Sequence, residues 1–171
     1  GQFNIYKDIQ RFKNAPVVLF LVPPNGNALK GNTIGLYHRK RKGAYPPTGV
    51  YHAAAVLDLL GIVTYVFDLD LDGEYEHFVD ILNKHRDNLY FISMTSRFMA
   101  QGEYELLSSI RKEIESVYPD RKQKPFILGG GIGPVLSMNE PLEYGYLDAI
   151  VCGISPYTLP EMILDSDFFG I

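Results

Sequence analysis

The stretch that decides the fold is PVVLFLV, residues 16–22, a continuous run of apolar and mostly β-branched or aliphatic side chains. Two prolines, Pro23 and Pro24, end it. A run without polar alternation is typical of a strand that is buried on both faces, as the inner strands of parallel sheets are. The run therefore predicts a parallel sheet with residues 16–22 inside it.

Further apolar runs follow this strand, and they alternate with segments of helical periodicity. The alternation predicts an α/β fold in which helices cover both faces of a parallel sheet and the crossovers are right-handed. For five strands we expect the flavodoxin-like (Rossmann-like) order 2-1-3-4-5. The predicted strands are 16–22, 62–69, 89–95, 125–129 and 147–153, and the predicted helices are 3–13, 49–60, 74–86, 103–118 and 156–164.

Length and composition fit one globular domain. The chain has 171 residues, 46% of them hydrophobic, and a net charge of -4, which argues against a surface that binds nucleic acid. Its one cysteine, Cys152, excludes an internal disulfide and a multi-cysteine metal site, and fits a cytoplasmic protein. No apolar run reaches the length of a membrane span. We expect a helical extension at 1–15, the main domain at 16–165, and a linker beginning at 166–171.

Ligands of open parallel sheets bind at the carboxyl ends of the strands, close to the point where the strand order reverses. Here that point lies between the first and third strands, which are followed by the long segment 23–47 and by residues 95–101. The third strand ends in hydroxyl residues, and the fourth runs into the glycines of FILGGGIGP, residues 126–134. Glycine lets a ligand approach the backbone closely, and hydroxyls form hydrogen bonds with it. The sequence therefore predicts a narrow slot that hydroxyls and bare backbone line.

Several of these segments, in this order, resemble the cobalamin-binding domain at the N-terminus of many radical S-adenosylmethionine enzymes. The resemblance covers roughly residues 16–164. It is carried by VVLFLVPPNG (17–26), YPPTGVYHAAAVLDLLG (45–61), VTYVFDLD (63–70), FISMTS (91–96), FILGGG (126–131), LDAIVCG (147–153) and YTLPEMI (157–163).

The resemblance implies a flavodoxin-like domain that holds cobalamin at the carboxyl edge of the sheet, in an enzyme of the methyltransferase kind. Residues Pro24, Asn25 and Gly26 would lie under the corrin ring. The nucleotide tail would enter the slot. The residues expected around the tail are Ser93, Thr95, Ser96, Arg97, Gly129, Gly130, Gly131 and Ile132.

Three features depart from relatives of this kind. The Asp-x-His-x-x-Gly motif, whose histidine ligates cobalt, is replaced by Pro-Pro-Asn-Gly, so cobalamin would be held without that histidine. Gly153-Ile154-Ser155-Pro156 stands where Gly-Glu-Gly-Glu is frequent. A single cysteine cannot hold a 4Fe-4S cluster, so the cluster, S-adenosylmethionine and catalysis would belong to a further C-terminal radical domain, and no catalytic residue is expected here.

Two other interpretations stay open. The fold could serve as a docking or scaffold module without a ligand, or could bind a nucleotide or a flavin. The basic run HRKRKG (38–43) is interpreted as a solvated loop. Asp68, Asp70 and Asp72 alternate, but a calcium loop also needs a late glutamate, where Val79 stands, so no metal site is predicted.

Overall fold

A computed structural model describes residues 5–23, 48–69, 71, 73–95, 101–120, 124–130, 140–151 and 155–165. Within them, five parallel strands form one sheet in the order β2-β1-β3-β4-β5, as the sequence predicts. This is an α/β architecture of the flavodoxin-like type. The strands are β1 (Val17–Val22), β2 (Val63–Asp68), β3 (Leu89–Thr95), β4 (Phe126–Gly130) and β5 (Ala149–Ile150).

Helices fill the crossovers between these strands. Acidic Glu74 and Glu76 in the first turn and Lys84 in the last turn of the helix after β2 complement its dipole. The described helices are α1 (Ile5–Ile9), α2 (Thr48–Leu59), α3 (Glu74–Lys84), α4 (Gln101–Val117), α5 (Glu140–Glu143) and α6 (Ser155–Leu164).

Side chains of β1 alternate between two apolar layers, which explains why all six of its residues are buried. Val17, Leu19 and Leu21 pack in the layer that contains α3 and α4. Val18, Phe20 and Val22 pack in the layer that contains α1, α2 and α6. We call these the α3/α4 layer and the α2/α6 layer.

A polar clamp fixes the start of β5. The Asp148 carboxylate accepts a hydrogen bond from the Ile127 backbone N–H at 2.7 Å and one from Arg111 Nη2 at 3.2 Å. The Arg111 Nε also donates to the Tyr146 carbonyl at 3.1 Å. The clamp therefore joins α4 to β4 and to the outer strand β5.

Some element boundaries differ from the sequence prediction. The first helix ends at Ile9 rather than at residue 13, since Arg11 and Phe12 donate to carbonyls only three residues back, Asp8 and Ile9. Strand β5 is two residues long, because the Asp148 side chain bonds the β4 backbone just before it and β5 pairs only with Leu128 and Gly129. The short helix α5 was not predicted.

No helix in the described ranges is both long and apolar enough to cross a membrane.

Candidate ligand-binding site

One hydroxyl interrupts an otherwise apolar row across the sheet. Strand pairing places Val66, Phe20, Ser93, Leu128 and Ala149 side by side, one from each strand in sheet order. Ser93 is 4% exposed and belongs to the small group of buried polar residues in the described chain. Burying a hydroxyl in such a row costs free energy unless the hydroxyl has a hydrogen-bond partner. Ser93 is therefore a candidate binding residue.

Thr95 and Gly130 form the last row before the carboxyl edge, where they pair directly. A methyl carbon placed on Gly130 would lie 3.7 Å from Thr95 Oγ1 and 3.9 Å from Ser93 Oγ. Both hydroxyls therefore border the space that the missing Gly130 side chain leaves. We call Ser93, Thr95 and Gly130 the hydroxyl notch.

Neither hydroxyl of the notch is hydrogen-bonded to another residue of the described ranges. The φ angle of Gly130 is not positive, so its backbone conformation is open to any residue. Glycine inside a strand lowers stability relative to alanine, and it often marks a site where a ligand or another backbone comes close. The notch can thus offer two hydroxyls and a bare stretch of backbone to a polar group.

The notch opens toward the α2/α6 layer. Side chains alternate along a strand, so Ser93 and Thr95 share a face with Phe91, and Gly130 shares a face with Leu128. The same layer contains apolar side chains from β1 and from both helices, among them Phe20, Val22, Val50 and Leu159. A slot between sheet and helices here would have apolar walls and a polar end, which suits an amphiphilic ligand.

The structure brings together three of the residues predicted for the site and separates a fourth. Gly129 is a strand residue that pairs with Met94, and its carbonyl accepts the Val151 N–H at 2.9 Å. By alternation it faces the α3/α4 layer, away from the notch. The other predicted residues, Pro24, Asn25, Gly26, Ser96, Arg97, Gly131 and Ile132, lie outside the described residues.

Sequence reasoning did not single out Phe20 and Val22 as neighbours of the site. Their alternation within PVVLFLV carried the signal, because even-numbered residues of β1 share the face of Ser93. It also missed Tyr104, at the start of α4. Burial raises the pKa of Tyr104, and the nearby Glu140 carboxylate raises it further. Its ring packs on Tyr146 at 5.0 Å in the α3/α4 layer, so it lies apart from the notch.

Within the described ranges, no three His, Cys, Asp or Glu side chains are grouped as ligands for a metal ion. Asp68, at the end of β2, pairs with Val22, while Asp70 and Asp72 lie outside the described residues.

Comparison with known proteins does not assign this chain to a family. No protein-family model matches the chain. No curated protein matches it either. The fold class therefore rests on the strand order and the site on its own residues.

Proposed function

We propose that this chain is a cobalamin-binding domain of a radical S-adenosylmethionine enzyme of the methyltransferase kind. The observation that carries the proposal is Gly130, a strand glycine with an ordinary backbone, at which a methyl carbon would lie within 4 Å of the hydroxyls of Ser93 and Thr95. The order of motifs along the sequence suggests the ligand class, and the hydroxyl notch supports the proposal by offering two hydroxyl groups beside a glycine.

The fit of the notch to a cobalamin tail depends on space and polarity. The nucleotide tail of cobalamin is long, and it carries a phosphate, a ribose and a flat base. Hydroxyl and backbone groups can hydrogen-bond the oxygens of such a tail. The apolar side chains of Phe20 and Val22 on the same face can pack beside its base.

The place of the notch in the sheet also supports the proposal. It lies at the carboxyl ends of β3 and β4, next to β1, where the strand order reverses between β1 and β3. Open α/β sheets bind ligands at such switch points. The two helices that border this face, α2 and α6, contact each other, so a tail would pass between them and the sheet.

Cobalamin would supply the carrier of a methyl group, on its cobalt. The residues of this chain would hold and orient the cofactor. Ser93 and Thr95 would hydrogen-bond the tail, and Gly130 would leave room for it. Acid–base chemistry and the iron–sulfur cluster would belong to a C-terminal radical domain, and the whole protein would act in the cytoplasm.

The testing experiment mixes the purified chain with hydroxocobalamin, removes free cofactor by desalting, and records the visible spectrum. We expect retained corrin near one per chain. The variant Gly130→Val fills the notch with a branched side chain and should retain none. A matched control, Ala55→Val, adds methyl groups at an exposed position of α2 and should retain as much as the wild type.

Other outcomes favour the other interpretations. A folded wild type that stays colourless overturns cobalamin binding and favours a docking module. A flavin spectrum in the protein as purified would overturn cobalamin binding and favour a flavin as the ligand. Equal retention by Gly130→Val and wild type would show that cobalamin binds elsewhere on the chain.

A further inference from the structure

A proline lies inside the last described helix. Helix α6, Ser155–Leu164, has the sequence SPYTLPEMIL, and Pro160 is its sixth residue. Proline has no backbone N–H, so the carbonyl of residue 156, four positions earlier, receives no helical hydrogen bond from it. The ring also crowds that carbonyl, and sharp bends of helices occur mostly at such positions. The first turn of α6, residues 155–159, is therefore joined only weakly to the rest of the helix.

The two parts of α6 differ in how they are anchored. Beyond the proline, Ile163 is 3% exposed, and the Asp165 N–H donates to the Glu161 carbonyl at 3.0 Å. Before the proline, the structure describes the side chains of residues 157–159, and among them Leu159 alone is buried. Tyr157, in the same turn, is 69% exposed. A single apolar side chain thus fixes this part of the first turn to the core.

The inner face of α6 supplies both a pivot and a latch. Pro160 and Ile163 are buried, so the helix stays packed on the α2/α6 layer at the proline and beyond it. Leu159 is fully buried in the same layer, and the hydrophobic effect favours its return whenever it is exposed. Helix α2, which also borders this face, has no proline between Thr48 and Leu59. Of the two helices, α6 is therefore the one whose first turn can open.

The first turn of α6 lies at the edge of the sheet that carries the hydroxyl notch. Strand β5 runs parallel to β4, and α6 follows β5 along the chain, so α6 begins at the carboxyl edge. Leu159 packs in the layer that also contains Phe91 and Leu128, the residues that share a face with the notch. A long ligand that enters between sheet and helices from this edge must pass the first turn.

We propose that the first turn of α6 is a gate, which opens about Pro160 to admit a long ligand and closes when Leu159 returns to the α2/α6 layer. The inference rests on the proposed function for the identity of the ligand, the nucleotide tail of cobalamin. Elements that open for ligands come from the least stable parts of a structure. Pro160 provides this local weakness, while the rest of α6 stays packed against α1 and α2.

Two variants restore the missing donor. Pro160→Ala and Pro160→Val both supply an N–H that can bond the carbonyl of residue 156, and they differ from each other in side-chain volume. An effect that both share is therefore an effect of the hydrogen bond and not of packing. The matched control is Glu161→Ala, which changes an exposed side chain next to the pivot and keeps the proline.

Hydrogen exchange of the free chain, followed by NMR, tests the opening without any ligand. In a regular helix the Glu161 N–H bonds the carbonyl of Tyr157 across the proline, so it reports on the pivot. The reference is the Val17 N–H, which donates to the Asn88 carbonyl at 2.9 Å within the sheet. We expect the protection of the Glu161 amide, relative to that of Val17, to rise about tenfold in both proline variants.

Stopped-flow absorbance with hydroxocobalamin tests the effect on binding. Both proline variants should slow association and dissociation by about threefold or more, because the ligand passes the same gate in each direction. The dissociation constant should change less than either rate. Glu161→Ala should keep both rates at the wild-type values.

Unchanged protection of the Glu161 amide in both proline variants overturns the gate. Wild-type binding rates in both variants overturn it too, as do opposite effects of Pro160→Ala and Pro160→Val, which would assign the effect to side-chain volume. A chain that takes up no cobalamin overturns the proposed function instead, and the exchange comparison then still decides whether the first turn opens.

Discussion

Gly130 lies directly opposite Thr95 in the parallel pairing of β3 with β4. A methyl carbon placed on Gly130 would lie 3.7 Å from the Thr95 hydroxyl oxygen. A methyl group would fit at ordinary contact distance. The glycine is therefore required neither by backbone conformation nor by crowding in the described residues. A side chain placed here would lie beside the two hydroxyls, so substitutions at Gly130 allow binding and stability to be measured separately.

The first prediction concerns Gly130→Ala. We expect the free energy of unfolding to rise by about 0.4–1 kcal/mol, because alanine restricts the unfolded chain and fits the folded one. Cobalamin retention should fall, because the methyl group would occupy the space in which we propose that the nucleotide tail binds. Urea unfolding and a cobalamin titration measure the two effects. A variant that is stabilised and binds with unchanged affinity would contradict the assigned role of the notch.

The second prediction concerns the hydroxyls. Ser93→Ala and Thr95→Val should each weaken cobalamin binding by about threefold to tenfold, the loss expected for one net hydrogen bond of about 0.5–1.5 kcal/mol. Stability without ligand should change little at Ser93, since no hydrogen bond joins its hydroxyl to another described residue. A binding titration followed by visible absorbance measures the affinities.

Thr64→Val is the matched control for the hydroxyl variants. It removes a hydroxyl from β2 that bonds the Ala54 carbonyl at 3.3 Å, away from the carboxyl ends of β3 and β4. Cobalamin affinity should stay at the wild-type value. Equal losses in the control and in Ser93→Ala would point to a general effect on the sheet.

The third prediction ranks the two sides of the clamp at β5. Asp148→Ala should lower the free energy of unfolding by about 1–3 kcal/mol, because the buried Ile127 N–H loses its acceptor. Arg111→Ala should cost less, because the bond between Ile127 and Asp148 stays, and the variant loses only one bond to the Tyr146 carbonyl and an ion pair whose two side chains are about one third exposed. Urea denaturation of both variants provides the ranking, and a larger loss at Arg111 would contradict it.

The fourth prediction is a loss of stability at alkaline pH. Burial raises the pKa of Tyr118 from 10.0 to about 12, with Arg86 opposing and Asp87 adding to the shift. The unfolded chain therefore releases this proton first as the pH rises. The free energy of unfolding should be unaffected by Tyr118 below pH 10 and should fall between pH 10 and about 12.

Tyr118→Phe checks that assignment. The variant loses only a 3.4 Å bond to the Leu82 carbonyl and keeps the buried ring. Its unfolding free energy should fall less steeply in the alkaline range, by up to about 1.4 kcal/mol per pH unit. Urea unfolding at several alkaline pH values measures both slopes, and identical slopes would locate the titrating group elsewhere, for example at Tyr75, whose pKa is also raised to about 12.

Most of the fold could be predicted from the sequence, because short continuous apolar runs are typical of strands that are buried on both faces. Residues 89–95 were predicted as a strand and form β3 with the same limits. The short length of β5 was less predictable. It depends on the contact between Asp148 and Ile127, which are 21 residues apart. Such long-range bonds leave no local pattern.

The candidate site was predictable only in part. Hydroxyl and glycine residues at strand ends indicated Ser93, Thr95 and Gly130. Their common orientation depends on strand register, which pairs Thr95 with Gly130 and places Gly129 on the other face. The sequence FILGGG alone does not show which of Gly129 and Gly130 lies on the face of Ser93 and Thr95. The apolar residues of α2 and α6 on this face could not be predicted either, because they depend on which helices cover it.

The position of β1 inside the sheet, between β2 and β3, has a consequence for folding kinetics. Its amino end is held by Asn88, whose carbonyl accepts the Val17 N–H and whose side chain donates to the Ala15 carbonyl across 73 positions of the chain. No two neighbouring strands of this sheet are joined by a hairpin, so each pairing must close a long loop before it gains any hydrogen bond. During synthesis, the backbone N–H and C=O groups on both edges of β1 would stay unpaired until residues 63–68 and 89–95 have left the ribosome. Its exposed apolar run would then be the part of the nascent chain most in need of a chaperone.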